Sequence, residues 1–192
     1  MSPSKAKAPD PLVWRVMISS LYHQKRERFL DGIDRSSQAI GVLGGAAAFS
    51  AVFNTEEGFS IPGAVVAVIS TVALCYGPGS KARRHGELAR DYKKLQAEIV
   101  RCSEPLTSQQ RCEFDAQVLL LEASEPAALG ALVTQCHNEL SVAMDLAHAV
   151  TPLRWYERLF GNWFDFDQTP GSKKQKRRFL RILLRICRTA RR

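Results

Sequence analysis

Two uncharged stretches decide most of what this chain can become. Residues 36–53 run 18 positions without a charge, and residues 58–80 run 23. As helices rising about 1.5 Å per residue they reach roughly 27 and 34 Å, against a hydrocarbon core of about 30 Å. Both can span a bilayer. Between them Asn54-Thr55-Glu56-Glu57, then Ser60 and Pro62, supply the turn and N-cap chemistry of a tight helical hairpin. The competing reading is a buried helix pair in a water-soluble bundle. The first stretch keeps it open, because its only large apolar residues are Ile40, Val42, Leu43, Phe49, Val52 and Phe53. The second, apolar all round from Ile61 to Leu74, is unlike an amphipathic surface helix. A membrane hairpin with spans at about 36–53 and 59–80 is the favoured expectation.

Flanking charge orients that hairpin. Lys25, Arg26, Arg28 and Arg35 precede the first span, and Lys81, Arg83, Arg84, Arg90, Lys93 and Lys94 follow the second. The connecting loop carries only Glu56 and Glu57. By the positive-inside rule both ends are expected in the cytoplasm. No signal-peptide core is read near the N-terminus, where residues 1–11 form a polar segment containing Pro3, Pro9 and Pro11.

The expected fold class is all-α. After the second span, His85, Leu88, Tyr92, Leu95, Ile99 and Cys102 recur at helical spacing and require a partner helix. The partner is expected before the first span, through Trp14, Ile18, Leu21, Tyr22, Phe29 and Ile33. Each soluble segment continuing into its span makes two long antiparallel helices, over residues 12–53 and 60–102, of about 60 Å each. Thr107-Ser-Gln-Gln110 reads as a capping box opening a helix to about Ala123, with Phe114, Val118 and Leu121 inward. Ser124-Glu125-Pro126 opens another, in which Leu129, Val133, Cys136, Leu140, Ala143, Ala147 and Val150 alternate as far as Thr151-Pro152. These two helices are expected to form a cytoplasmic cap. Residues 12–150 are thus read as one two-transmembrane helical domain, 151–170 as an aromatic-rich connector and 171–192 as a tail.

The tail holds the charge. The chain has 27 Lys plus Arg and 19 Asp plus Glu, a net +8; residues 171–192 contribute ten cations and no acid. Phe179, Ile182, Leu183, Ile186 and Ala190 fall on one face of a helix, with Arg177, Arg181, Arg185, Arg188 and Arg192 opposite. A basic amphipathic helix suits anionic lipid or a partner helix. A phosphate-binding arm for RNA or DNA is the weaker alternative, since electrostatics alone does not need the apolar face. Upstream, Trp155, Tyr156, Phe160, Trp163, Phe164 and Phe166 could dock on the bundle or sit at a membrane interface.

No enzyme signature is read. His23, His85, His137 and His148 lie in helical patterns, without a nucleophile elbow, an HExxH or a phosphate loop. The five cysteines show neither C-x-x-C nor zinc spacing. No cofactor, metal or catalytic residue is expected. The spans do offer small-xxx-small patterns, Gly41-xxx-Gly45 and Gly63-xxx-Ala67-xxx-Thr71, which serve either packing within the hairpin or self-association. Two helices per subunit cannot enclose a channel, so any pore is oligomeric.

The stretch Tyr22-His-Gln-Lys-Arg-Glu-Arg-Phe-Leu30, the two spans, and Arg84-His85-Gly-Glu-Leu88-Ala-Arg-Asp-Tyr92-Lys-Lys-Leu95 resemble the SLATT family. These are SMODS- and SLOG-associating two-transmembrane effector domains of bacterial conflict systems. The likeness covers about residues 12–150 and rests on helix order and the H-x-x-L-x-x-x-Y-x-x-L pattern. It implies an inner-membrane, antiviral effector that forms homo-oligomers and breaches the bilayer when a nucleotide-signalling or sensor protein partner triggers it. Tyr22, His23, Phe29, His85, Leu88, Tyr92 and Leu95 would then form the stem that carries the trigger. The Arg-rich tail lies outside the family pattern. Two other functions stay open: a non-conducting adaptor that recruits a partner through its basic and aromatic C-terminal region, and a soluble helical nucleic-acid binder.

Overall fold

A computed structural model of the protein describes residues 9–54, 61–102, 105–146 and 149–166, with side chains described at 9–45 and from 65 onward within those ranges. Every regular element among them is a helix: α1 (Pro11–Asn54), α2 (Ile61–Tyr76), α3 (Pro78–Arg101), α4 (Ser108–Ala123), α5 (Gly130–Ala143) and α6 (Trp155–Phe160). The chain divides into two compact units, Pro9–Glu125 and a second beginning at Pro126. That boundary falls inside the expected 12–150 domain. It also places α4 and α5 in different units.

In the first unit α1 is a single helix of 44 residues, about 66 Å long. Asp10 starts it. Its carbonyl accepts the Trp14 N–H and its carboxylate accepts the Leu12 N–H at 2.9 Å, while Pro11 takes the first helical position, which needs no donor. The Arg111 guanidinium also clasps Asp10 and holds its carboxyl below the usual aspartate range. Antiparallel to α1 run α2 and α3. The expected second long helix is broken between them at Gly77, whose φ of +59° is left-handed. Helical hydrogen bonds persist on both sides, from Gly77 N–H to the Ala73 carbonyl and from Lys81 N–H to the Gly77 carbonyl. The interruption is a kink, because glycine adopts positive φ without a Cβ penalty and Pro78 is preorganised for a new first turn.

The α3 seam is as expected: His85, Leu88, Tyr92, Leu95 and Ile99 are buried and Cys102 is partly so. The facing stripe on α1 is different. Its buried residues are Leu12, Val16, Ser20, Tyr22, His23 and Leu30, whereas of the expected stripe only Tyr22 is among them and Trp14, Ile18, Leu21, Phe29 and Ile33 are all half-buried. Close approach explains the change. A Cβ on Gly86 would strike the Glu27 carboxylate and one on Gly79 the Asp34 carboxylate, so α3 presents glycines seven residues apart to acidic side chains seven residues apart. Leu12, Val16, Tyr92, Leu95 and Ile99 then join Phe114 and Val118 of α4 in the apolar core. Thr107 and Gln110 form the expected capping box, and α4 ends at Ala123 as read.

In the second unit, α5 starts at Gly130 and stops at Ala143, short of the expected end near Thr151. Leu146 N–H bonds the Ser141 carbonyl at 2.7 Å and Asp145 N–H the Val142 carbonyl at 3.1 Å, with Asp145 at φ +59°. This is a Schellman ending with aspartate in the left-handed position usually held by glycine. Buried on α5 are Ala131, Leu132, Cys136 and Ser141; Val133 and Leu140, expected inward, are half-buried. The return segment is tied down by Asn138, whose side chain bonds the N–H and the carbonyl of Thr151. Gly161 lies against Ala131, setting α6 onto α5.

Candidate functional site

The most unusual chemistry in the first unit is polar and buried. His23 of α1 is 0% exposed and His85 of α3 5%, and their Nδ1 atoms stand 2.8 Å apart. At that separation one ring donates and the other accepts, so both cannot be protonated there. On its other side His23 Nε2 lies 3.0 Å from the Glu125 carboxylate, at ion-pair distance but without hydrogen-bond alignment. The carboxylate assigns the tautomers. A lone pair on Nε2 would face a negative charge; a proton there faces it favourably, so His23 accepts at Nδ1 and His85 donates. The direction of polarisation is His85 to His23 to Glu125.

Aromatic rings enclose this chain of groups. Tyr92 stacks on His23 at 5.8 Å with planes 13° apart, and Tyr22 meets the His23 and His85 rings edge-on at 5.2 and 6.3 Å. Burial, helped by neighbouring His23, Arg26 and Arg84, pushes His85 down from 6.5 to about 4. Glu125 is pushed up by burial, yet its contacts with His23 and Tyr92 outweigh this and hold it below the usual glutamate range. Burial, with Glu125 nearby, keeps the Tyr92 hydroxyl neutral well above the ordinary tyrosine range. At neutral pH His85 is thus uncharged, beside His23 and one carboxylate. Arg84 adds a clamp, donating to the Ser124 carbonyl at 2.5 Å beside the C-terminus of α4, where a cation is favoured. Three helices are joined through these groups: α1 by His23, α3 by His85 and Arg84, and the end of α4 by Ser124 and Glu125.

The cluster is not a metal ligand set. His85 meets one nitrogen of His23 and Glu125 the other, so the three donors share no common point, and no group of three metal-binding side chains occurs among the described residues. Two open grooves on the described surface lie elsewhere. One of about 450 Å³ is bordered by Gln24, Glu27, Gly86 and Arg90, and one of about 510 Å³ by Phe29, Ile33, Ile40 and Ile69. The arrangement suits a lock between helices, sensitive to protonation and to the position of α4.

Of the residues singled out by sequence, Tyr22, His23, His85 and Tyr92 come together here, while Leu88 and Leu95 are buried along the same seam. Phe29 stands apart, with the Arg26 guanidinium 5.7 Å from its ring. Sequence reasoning misses Glu125 and Arg84 as partners of this cluster. Nothing in the spacing signals that Glu125, past the end of α4, reaches His23. Of the small residues, Gly41 faces the Ser70 hydroxyl across the hairpin. Gly44, outside the expected pattern, makes the closer approach, since a Cβ there would overlap Val66. Gly45 meets nothing within 4 Å. Thr71 is exposed, with its hydroxyl bonded to the Ala67 carbonyl. Gly63 lies in α2, where its surroundings are outside the described side chains, and Arg177, Arg181, Arg185, Arg188 and Arg192 lie outside the described residues altogether.

One segment among the described residues, Val65–Arg101, is long and apolar enough to cross a membrane; 11% of its apolar window is buried. No family model, curated protein or solved structure matches the chain.

Proposed function

We propose that this protein is an inner-membrane effector whose α1–α2 hairpin spans the bilayer with both termini in the cytoplasm, and which oligomerises and permeabilises the membrane when its stem is triggered. The carrying observation is the outward display of apolar side chains on the hairpin. Val42 and Leu43 on α1 are each 72% exposed, and Val68, Val72 and Leu74 on α2 are 63, 61 and 84% exposed. Leaving such side chains in water forgoes roughly 1–2 kcal/mol each, a large sum beside the 5–15 kcal/mol that holds a typical domain together. A hydrocarbon solvent removes that penalty.

Two details support the depth of insertion. Lys81 sets its ammonium 3.5 Å from the Tyr76 ring centre just beside the Gly77 kink. Amphipathic aromatics and cations of this kind belong at the level of lipid headgroups. Gly41 and Gly44 serve the hairpin itself, whereas Gly45 is left for contact with another subunit. The His23–His85–Glu125 cluster ties α3, which continues from α2, to α1 and α4, and so is the point at which a partner acting on α4 can move the spans. The resemblance to SLATT domains agrees with this order of parts.

Dye release from sealed liposomes tests the reading. Reconstituted protein is expected to release dye with a steeper than linear dependence on protein-to-lipid ratio. Vesicles that stay sealed at every ratio, while holding the protein, would favour the non-conducting adaptor.

A further inference from the structure

The second unit carries an exposed apolar face of its own. Arg154 opens α6, with the Glu157 carboxylate reaching back to its N–H at 2.9 Å. The turn is prolonged past Phe160 by the N–H groups of Trp163 and Phe164, both bonded to the Phe160 carbonyl. Gly161 turns one side of this segment toward Ala131 of α5. Trp155, Leu159 and Trp163, spaced four apart, share a helical side and are 73, 63 and 57% exposed. Large aromatic residues at this exposure make poor water-facing groups, and they need a cover.

We propose that Trp155, Leu159 and Trp163 insert into the headgroup region of an anionic bilayer, with Arg154 and Arg158 lying on lipid phosphates. Three observations select that occupant. The rings are those favoured at a membrane interface, where an indole has an apolar body and a polar N–H. Arg154 and Arg158 flank this face, while the Glu157 and Asp165 carboxylates accept from the Arg154 and Gly130 N–H groups, the latter at 3.0 Å. Finally, residues 171–192, which follow in the sequence, hold ten cations and no acid, a charge that complements anionic lipid. The inference does not require the hairpin to span the membrane.

The test uses the full chain with PC and PC/PG vesicles and lipids brominated near the headgroup. Its tryptophans are Trp14, Trp155 and Trp163. With Trp14→Phe, bromolipid quenching in PC/PG is expected to be about threefold stronger than in a Trp155→Phe/Trp163→Phe chain, and weaker in PC alone. Retention in the membrane pellet after alkaline carbonate is read in the same samples. Retained protein whose Trp155 and Trp163 are unquenched by bromolipid overturns this inference and leaves the spanning hairpin intact. Quenched tryptophans in protein that carbonate removes would support the interfacial face and count against the spanning hairpin. Protection of these rings from both bromolipid and aqueous acrylamide would mean a protein partner covers the face, and would also overturn the inference.

Discussion

His85 is the residue whose chemistry most constrains the stem. Its pKa is depressed from 6.5 to about 4, so its contribution to stability is complete above pH 6.5 and is lost as pH falls toward 4. By linkage this amounts to roughly 3 kcal/mol over the interval. Glu125, also depressed, contributes in the same direction at the acid end of that range. Tyr92 acts at the other side: its raised pKa means stability falls as pH climbs past 10. Thermal unfolding in detergent should therefore show a plateau between about pH 6.5 and 10, with a steep acid limb. His85→Leu removes the group responsible and leaves His23 Nδ1 buried without its donor, so it should cost about 1–3 kcal/mol at pH 7.5 and flatten the acid limb. An unchanged acid limb in that variant would assign the sensitivity elsewhere. His23, Arg26, Arg84 and Glu125 are the groups to mutate next, since all four bear on the His85 ring.

Glycines decide the helix contacts. Gly44 sits against branched Val66, which cannot swing aside, whereas Gly45 faces open space in the isolated chain. Gly44→Leu is expected to splay the hairpin and lower its melting temperature by several degrees, equivalent to about 1–3 kcal/mol of overpacking. Gly45→Leu is expected to leave melting unchanged and to reduce the oligomer seen by crosslinking in membranes. Equal effects of the two variants on melting would contradict this division of labour. At the kink, Gly77→Ala must place a Cβ at φ +59°, at a cost of about 1–2 kcal/mol, measurable as a lower unfolding midpoint.

The same elements separate what a sequence can reveal from what it hides. The α3 seam is legible because its inward residues are apolar at helical spacing, and the α4 start because Thr107 and Gln110 carry an explicit cap. The inward stripe of α1 is not, because Ser20 and His23 are polar and Glu27 and Asp34 oppose glycines. The end of α5 is hidden by an apolar alternation that continues past Asp145. His85 is legible as part of the α3 seam; the completion of its pair with His23 by Glu125 depends on where α4 ends in space.

At the scale of the whole molecule, the lock among α1, α3 and the end of α4 lies next to a hairpin clothed in apolar side chains. Opening the lock by acidification or by a partner should change the spans without unfolding the core around Val16, Leu95 and Val118. Liposomes holding the Glu125→Gln chain, which weakens the favourable charge at His23, are accordingly expected to leak more than wild type at equal protein density. Equal or lower leakage would detach the cluster from the trigger.

Everything proposed for the hairpin rests on lipid being the solvent around α2. A single cysteine at Val68→Cys, in a chain with its five native cysteines replaced, can be offered a membrane-impermeant maleimide in intact vesicles. No labelling is expected until detergent is added. Labelling in intact vesicles as fast as that of a cysteine restored at exposed position 112 would show that water surrounds the helix, and would contradict the membrane assignment.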